Sequence, residues 1–423
     1  MAGDGGGKKA RNKKRSKRKM TSEQALASKY ILDWAFPPDC GDGDFLPQPR
    51  AVAPRDERML FELHCHSNCS DGYLSPKAVV ERAHRNGVKV LALTDHDTMD
   101  GVPEASAMAR KLGIRLIPGV EISSIFSASS GAEEPVHVLA YYSSCGPSRC
   151  EELERTLSSI RAGRYVRARN MLLKLRELKM PLKWEHLIKI AGDGVAPGRL
   201  HVARAMVEAG YVEDLKQAFS RYLYDGGPAY ATGSEPLAEE VVKLICCTGG
   251  VAALAHPWAL KNPVSVIRSL KAAGLHAMEV YRGDGKLAVF SDLADAQGLL
   301  KIGGSDYHGR RTQLETDLGG ANLPAVATHK FLKLARPIWL DAIKDAFRSY
   351  AEEPSCANLE RLWGFGDANY KAKMAMMSPG EIVKLSLASW LTPEESECAE
   401  LEDLRLKLSD VFIREDFEIP IMG

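Results

Sequence analysis

From Leu60 onward, short apolar runs alternate with stretches of helical period, and that alternation restricts the chain to few folds other than a β/α one. Candidate strands are 59–65, 88–94, 114–120, 136–142, 251–255, 276–281 and 299–303. The first intervening helix is well punctuated: Ser75 can cap it, Pro76 suits its first position and Gly87 can close it. Further helices are expected over 102–112, 236–247 and 263–273, the last two running into Gly249-Gly250 and Gly274. Seven such runs flank a barrel-like core.

The ends of these runs carry the chemistry. His64 and His66 close the first run and, being two apart in an extended chain, share a face. His96 follows VLALTD, Glu121 follows LIPGV, His256 follows AALA, and Asp306 and His308 follow IGGS. The C-terminal ends of parallel strands are where β/α barrels gather reactive groups on one rim. His137 breaks the rule because it opens its run; pairing of ISSIF with VHVLAYY as a hairpin would return it to the rim. Asp71 lies in the loop SDGYLS, where a carboxylate can turn inward or shape the turn. Singly, each histidine is more often a core or surface residue than a ligand. Jointly, six imidazoles and three carboxylates at successive strand ends read as a multinuclear metal site. His84, His186, His276 and His329 have no such context and are assigned no role. Asp95 and Asp97 are equally candidates for orienting a ligand or for capping a turn near Thr98.

Composition narrows the class further. The 423 residues are 45% hydrophobic and 26% charged, enough for a large core and two or three structural units. No apolar stretch approaches the roughly 20 residues a membrane helix requires, and no N-terminal segment resembles a secretory signal. A soluble, intracellular protein is therefore expected. Nine cysteines without regular C-x-x-C pairs fit a reducing compartment. Cys65 lies between two candidate ligands, but strand alternation turns it to the opposite face, as a small buried hydrophobe. The formal charge of +1 hides an asymmetry: residues 8–19 carry nine basic side chains, so the first 19 residues sum to +8 after Asp4, leaving about −7 elsewhere. This tail (1–57 with its Pro-rich linker) is expected to be disordered. It reads as a nuclear address, an RNA-binding arm or a solvated terminus, with a short helix from Thr21 to Phe36 inside it.

The segments FELHCHSNCSDG, ALTDHDT, IPGVEIS, HVLAYY, AHP and GGSDYHG, in that order, resemble the PHP family of polymerase and histidinol phosphatase domains. GRLHVARAMVEAGYV and YLYDGGPAYA extend the likeness through the middle of the chain. Within the family this version looks most like the phosphatases acting on nucleoside 3′,5′-bisphosphates and on short or 5′-phosphorylated RNA ends. The resemblance implies an α/β fold, a distorted seven-stranded TIM-like barrel split into 58–142 and 236–320. A helical insert (143–235) and a helical C-terminal extension (321–423) complete the chain. It also implies three divalent ions, manganese, zinc or iron. His64, His66, Glu121 and Asp306 would hold one; Glu121 would bridge to a second completed by His137 and His256; Asp71, His96 and His308 would hold the third. Three dications and three carboxylates leave about +3, a site suited to a phosphate ester attacked in line by a metal-bridging hydroxide. No side chain is assigned a separate catalytic role.

In the insert, Arg161, Arg164, Arg167 and Arg169 cluster, with Arg199 and His201 just before a second helix. Most of these are expected to be solvated. Arg164 faces inward by periodicity, and Arg164 and Arg199 match arginines with which the resembling phosphatases clamp a second phosphate, His201 being a third candidate. The extension contains an amphipathic helix from LARPIWLDAIKDAFRSYAEE, with Ile338, Ala342, Ile343 and Ala346 on one side. MSPGEIVKLSLASWL and LTPEESECAELEDLRLKLSDVF follow with capping-type starts. The expected activity is metal-dependent hydrolysis of phosphate from nucleoside 3′,5′-bisphosphates, extending to 5′ to 3′ exonuclease action on short RNA, with RNA contact through the basic tail. The alternatives are a histidinol-phosphate-type small-molecule phosphatase and, from another class, an RNA-binding scaffold. Loss of metal ligands would mark the scaffold, and none is lost.

Overall fold

The computed structural model describes residues 20–36, 59–127, 133–283, 288–310, 315–355, 358, 361 and 399–411. The basic run 8–19, the linker 37–57 and MSPGEIVKLSLASWL lie outside them.

Seven strands form one sheet in chain order: β1 Leu60–Glu62, β2 Val88–Leu93, β3 Arg115–Ser127, β4 Glu133–Tyr141, β5 Val251–Leu254, β6 Ala277–Tyr281 and β7 Leu300–Gly303. All neighbouring pairs are parallel except β3–β4 and β4–β5, so β4 alone runs backwards. The sheet closes on itself at one end. Residues beyond β7 bridge to those beyond β1 at Cys65 and Tyr307, with His66 N–H donating to the Tyr307 carbonyl (2.8 Å) and Asp306 N–H to that of His64 (2.9 Å).

Helices α2 Pro76–Arg85, α3 Val102–Leu112, α8 Ala238–Cys247, α9 Pro263–Ala273 and α10 Ala288–Ala296 cover the sheet, preceded in the chain by α1 Ser22–Ala35, which packs on the barrel interior. Their ends follow local chemistry. The Ser75 hydroxyl accepts from Ala78 N–H ahead of Pro76, and Thr21 and Gln24 form a reciprocal capping box. Gly274 closes α9 in the left-handed region at φ 112°. Between β4 and α8 come only helices: α4 Cys150–Glu177, α5 Trp184–Ala191, α6 Arg199–Glu208 and α7 Leu215–Ala218, the last running into a π-helical turn at Phe219–Leu223. This segment packs around its own apolar cluster, including Leu175, Leu187, Met206 and Leu223.

Two expectations need correction. β3 continues to Ser127 rather than ending at 120, because the expected hairpin of ISSIF with β4 forms as a continuous strand pair, Ser123 opposite His137. The long C-terminal helix, α11, spans Ala325–Glu352 and starts well before Leu334; Pro337 sits inside it, as it does in the helix expected from Leu334. The apolar side of α11 explains the tolerance. Phe331, Leu332, Ala335, Trp339, Ile343 and Phe347 are all buried against α1 and the barrel interior, enough to offset one missing backbone hydrogen bond. Trp339 stacks on Trp34 (6.4 Å), meets Phe331 edge-on and donates its indole N–H to the Tyr141 carbonyl at 3.0 Å. Because β4 is reversed, Tyr141 lies at the end remote from His137, so α1 and α11 form a floor opposite the rim. A last helix, α12 Ala399–Val411, packs on α11 through Leu401 and Leu404, with Glu400 pairing Lys344 and Arg348.

Candidate metal centre and substrate cavity

Strand alternation aims the rim residues. In β3, Ile117 belongs to the interior cluster while Val120 and Ile122 belong to the outer one, so Glu121, four residues after Ile117, points inside. The same parity places His137 with Leu139 and Tyr141 on β4. Cys65 takes the outer face with Leu91 and Leu93, its thiol donating to the Ala92 carbonyl. The close fit of the rim requires glycine: a Cβ on Gly304 would lie 2.5 Å from the His64 Cβ, and one on Gly72 would lie 2.7 Å from the His66 carbonyl. His256 (φ 28°), Asp306 (φ 52°) and Asp97 (φ 56°) occupy the left-handed region without being glycine, a strain that collects at functional sites.

The nine candidate ligands come together in one cluster, five of them on Glu121. One of its oxygens lies 3.2 Å from each of His64 Nε2, His66 Nε2 and His96 Nδ1; the other lies 2.9 Å from His137 Nδ1 and from His256 Nε2. Asp306 Oδ1 is 3.1 Å from His66 Nε2, and Asp71 Oδ1 is 3.1 Å from His308 Nε2. Ligand-type atoms fall within 4.8 Å of one another in three groups: His64, His66, Glu121 and Asp306; His66, Asp71, His96 and His308; and His96, Glu121 and His137. The first matches an expected set. The second adds His66 to the expected Asp71, His96 and His308, and the third has His96 where His256 was expected, although His256 also reaches Glu121.

These contacts fit cations better than they fit one another. His66 Nδ1, Asp71 Oδ1 and His96 Nδ1 are buried without a hydrogen-bond partner, though oxygen and nitrogen approach within 3.2 Å at the last two. His64 Nε2 and His66 Nε2 face each other at 3.1 Å. Mixed imidazole and carboxylate donors of this kind suit divalent ions. Electrostatics points the same way. Burial would raise the Glu121 carboxyl, but His96, His64 and His137 hold it well below the usual range. Burial would lower His66, yet hydrogen bonds to Asp306 and Glu121 push it up to about 10, so without cations protons fill the role of positive charge. Asp306, with its side chain 43% exposed, opens toward solvent while Glu121 is sealed beneath it.

Two carboxylates that sequence reasoning missed support this cluster. Glu279 on β6 accepts from His64 Nδ1 at 3.1 Å and from His256 N–H at 2.7 Å, and with Nδ1 so engaged Nε2 is the His64 atom available to ligate a cation beside Glu121. Glu62 accepts from the N–H groups of His64, Ser305 and Gly319, binding three loops together; burial pushes its carboxyl up to about 7. Their signal was present as a lone acid inside an apolar run, in LFELH and AMEVY. The paired readings of Asp95 and Asp97 also resolve. Asp95 accepts from Ser67 and Ser70 and fixes the loop after His66; Asp97 accepts from Ser123 N–H (2.7 Å) and from Arg164 Nε (2.6 Å).

A cavity of about 400 Å³ opens over the cluster. Asp71, His96, Glu121, His137, His256, Asp306 and His308 line one side; Arg164, Arg167, Arg199, Phe219 and Tyr230 line the helical side. Arg164 is buried, with Nη2 donating to Ser123 Oγ at 2.7 Å. Arg199 donates to the Leu223 carbonyl (3.3 Å) and pairs with Asp225. Arg167, expected to be solvated, is instead held at the cavity by Glu235 (2.5 Å), and burial with Arg164 nearby lowers it to about 10. His201 does not line this cavity. Its Nδ1 accepts from Gly198 N–H (2.9 Å), and it faces a small neighbouring cleft beside His96 and Arg164, where burial lowers it to about 4. Of the unassigned histidines, His276 accepts from Ala252 N–H, His329 packs edge-on to Tyr30, and His186 pairs with Glu208.

Comparison with known proteins gives the same direction. The chain is 33% identical over 287 residues to a 3′,5′-nucleoside bisphosphate phosphatase of Chromobacterium violaceum, covering 66% of this chain and 95% of that protein. It is 35% identical over 259 residues to a 5′-3′ exoribonuclease of Haemophilus influenzae, covering 59% and 89%. A solved Chromobacterium violaceum structure described as an amidohydrolase with bound sulfate aligns with a TM-score of 0.55 at 32% identity, over 61% of this chain and 89% of the other. A candidate metal-dependent phosphoesterase from Bifidobacterium adolescentis aligns with a TM-score of 0.55 at 26% identity, over 64% and 95%. No helix among the described residues is long and apolar enough to cross a membrane. The PHP domain profile matches residues 62–224, and the chain belongs to the PHP domain family as a metal-dependent hydrolase.

Proposed function

We propose that this protein removes a phosphate from nucleoside 3′,5′-bisphosphates, with three divalent ions held by His64, His66, Asp71, His96, Glu121, His137, His256, Asp306 and His308. Manganese, zinc and iron all suit such donors. Bound ions of this kind supply a nucleophilic water at neutral pH and offset charge on the phosphoryl oxygens. The protein's own part is positional. Glu279 and Glu62 hold His64, Glu121 draws five imidazoles to one point, and Asp97 orients Arg164. Arg164 and Arg199 face the cluster across the cavity, where guanidinium suits a second phosphate.

The observation that carries this reading is the pairing of a cation-binding cluster with an arginine-lined wall in a cavity of about 400 Å³, room for one nucleotide. A single-phosphate substrate has no use for the second anionic pocket. The relatives named as exoribonucleases favour an extension to the 5′ ends of short RNA, with the basic run 8–19 adding phosphate contacts and a steep salt dependence. The test is phosphate release from adenosine 3′,5′-bisphosphate, AMP and histidinol phosphate with added manganese, for wild type and Arg199→Ala. Selective turnover of the bisphosphate that collapses in the variant supports the clamp; equal turnover of all three, or none of the bisphosphate, removes it.

A further inference from the structure

The cavity wall has one feature that neither metal binding nor phosphate binding uses. Apart from histidines, the cavity has two aromatic side chains among the described residues, Phe219 and Tyr230, and both sit on the helical segment beside Leu200. Both are half-buried and line the cavity, Phe219 also packing against the apolar cluster of the helical segment. The remainder of the lining mixes charged side chains with Ile125, Pro135 and Leu200, and a phosphate has no use for a planar aromatic surface.

The two rings are held rather than loose. Phe219 opens the π-helical turn Phe219–Leu223, a distortion common at functional sites because it redirects side chains. Tyr230 closes a tight loop in which Ala229 N–H donates to the Tyr222 carbonyl and Tyr230 N–H to that of Gly227, both at 3.0 Å. The Arg199 guanidinium lies 5.6 Å from the Tyr230 ring centroid and is itself anchored by Asp225, which fixes one face of the ring. A rigid aromatic surface at the side of a one-nucleotide cavity, opposite the cluster, is what a flat heteroaromatic ring requires.

We infer that Phe219 and Tyr230 form the shelf on which the substrate's nucleobase stacks. The inference rests on the nucleotide reading above and gives that substrate its third point of attachment. Every base has a π face, and Asp225, which also lines the cavity, is already committed to Arg199. The shelf therefore grips the base without selecting strongly among bases.

The test compares adenosine 3′,5′-bisphosphate with its base-free counterpart, 1-O-methylribose 3,5-bisphosphate, using manganese-loaded protein. KM for the base-free compound should exceed that for the nucleotide by roughly ten- to a hundredfold. Calorimetric titration should show AMP binding tighter than ribose 5-phosphate by a similar factor. Phe219→Leu and Tyr230→Leu, which keep apolar volume but lose the ring, should bring both ratios toward one. Ratios unchanged in folded variants, or no nucleotide preference in the wild type while both bisphosphates are hydrolysed, would overturn the shelf and leave the bisphosphate reading standing. Turnover of p-nitrophenyl phosphate with neither bisphosphate hydrolysed would remove the reading and the shelf together.

Discussion

Glu279→Gln is nearly isosteric, yet it should disable the metal centre. In the native protein the two carboxylate oxygens accept from different donors, His64 Nδ1 at 3.1 Å and His256 N–H at 2.7 Å, and the side chain is fully buried. A glutamine carbonyl can serve one of them; its amide then confronts the other, donor against donor. One hydrogen bond to a charged acceptor is lost, worth about 1.5–3 kcal/mol. The consequence reaches the ions through tautomer choice. Without an acceptor at Nδ1, His64 no longer favours the form whose Nε2 lone pair faces Glu121 and Asp306. At 1.4 kcal/mol per tenfold, the expected loss is about 10- to 100-fold in metal affinity, the range found for partners of metal-bound histidines. The assay is manganese binding to metal-stripped protein by equilibrium dialysis, with the ion measured elementally and the fold checked by circular dichroism. A folded variant that binds manganese as tightly as wild type would show that Glu279 does not set the His64 tautomer.

Three further outcomes are expected. Asp97→Ala removes the carboxylate from buried Arg164 and should cost about 3 kcal/mol by denaturant titration, with Asp97→Asn retaining part of it. His201 is held near 4 in the folded state against an ordinary 6.5, so the unfolded chain binds the extra proton between these values. Stability is complete above about pH 6.5 and is lost as pH falls, by about 2 kcal/mol from pH 7 to 5, and His201→Gln should remove that share of the slope in paired urea titrations. Trp339→Ala empties the floor and breaks its bond to Tyr141; it should lower stability by about 3–5 kcal/mol in calorimetry or chemical denaturation.

Much of this molecule can be read before folding because the strands are short apolar runs bounded by turn residues and because ligands stand at their ends. The β2 run ends within a residue of its expected place for that reason, and parity alone sends Cys65 outward. The failures have physical causes. The expected end of β3 at 120 falls short, although the hairpin of ISSIF with β4 forms as read, because EISSIFS owes its strand to pairing with β4 rather than to an alternating pattern. The turns of α11 before Leu334 escape the sequence reading because local propensity cannot see the buried face, Phe331 and Leu332 included, that holds the helix together. Glu62 and Glu279 looked like interruptions of apolar strands, for nothing nearby in sequence shows that one will meet three backbone amides and the other an imidazole 215 positions away. Arg167 looked solvated because Glu235, its partner, lies 68 residues on.

The rim and the opposite wall of the cavity draw their rigidity from different interiors. The candidate ligands stand on strands whose packing runs through the barrel to Trp339, whereas Arg199, Phe219 and Tyr230 ride on a helical segment packed around Leu175, Leu187 and Met206. Substitutions in that second interior can shift what the cavity accepts while the bond-breaking apparatus keeps its shape. Exchanging the segment for that of a relative should then transplant substrate preference wholesale, with the hydrolytic step inherited unaltered from the barrel.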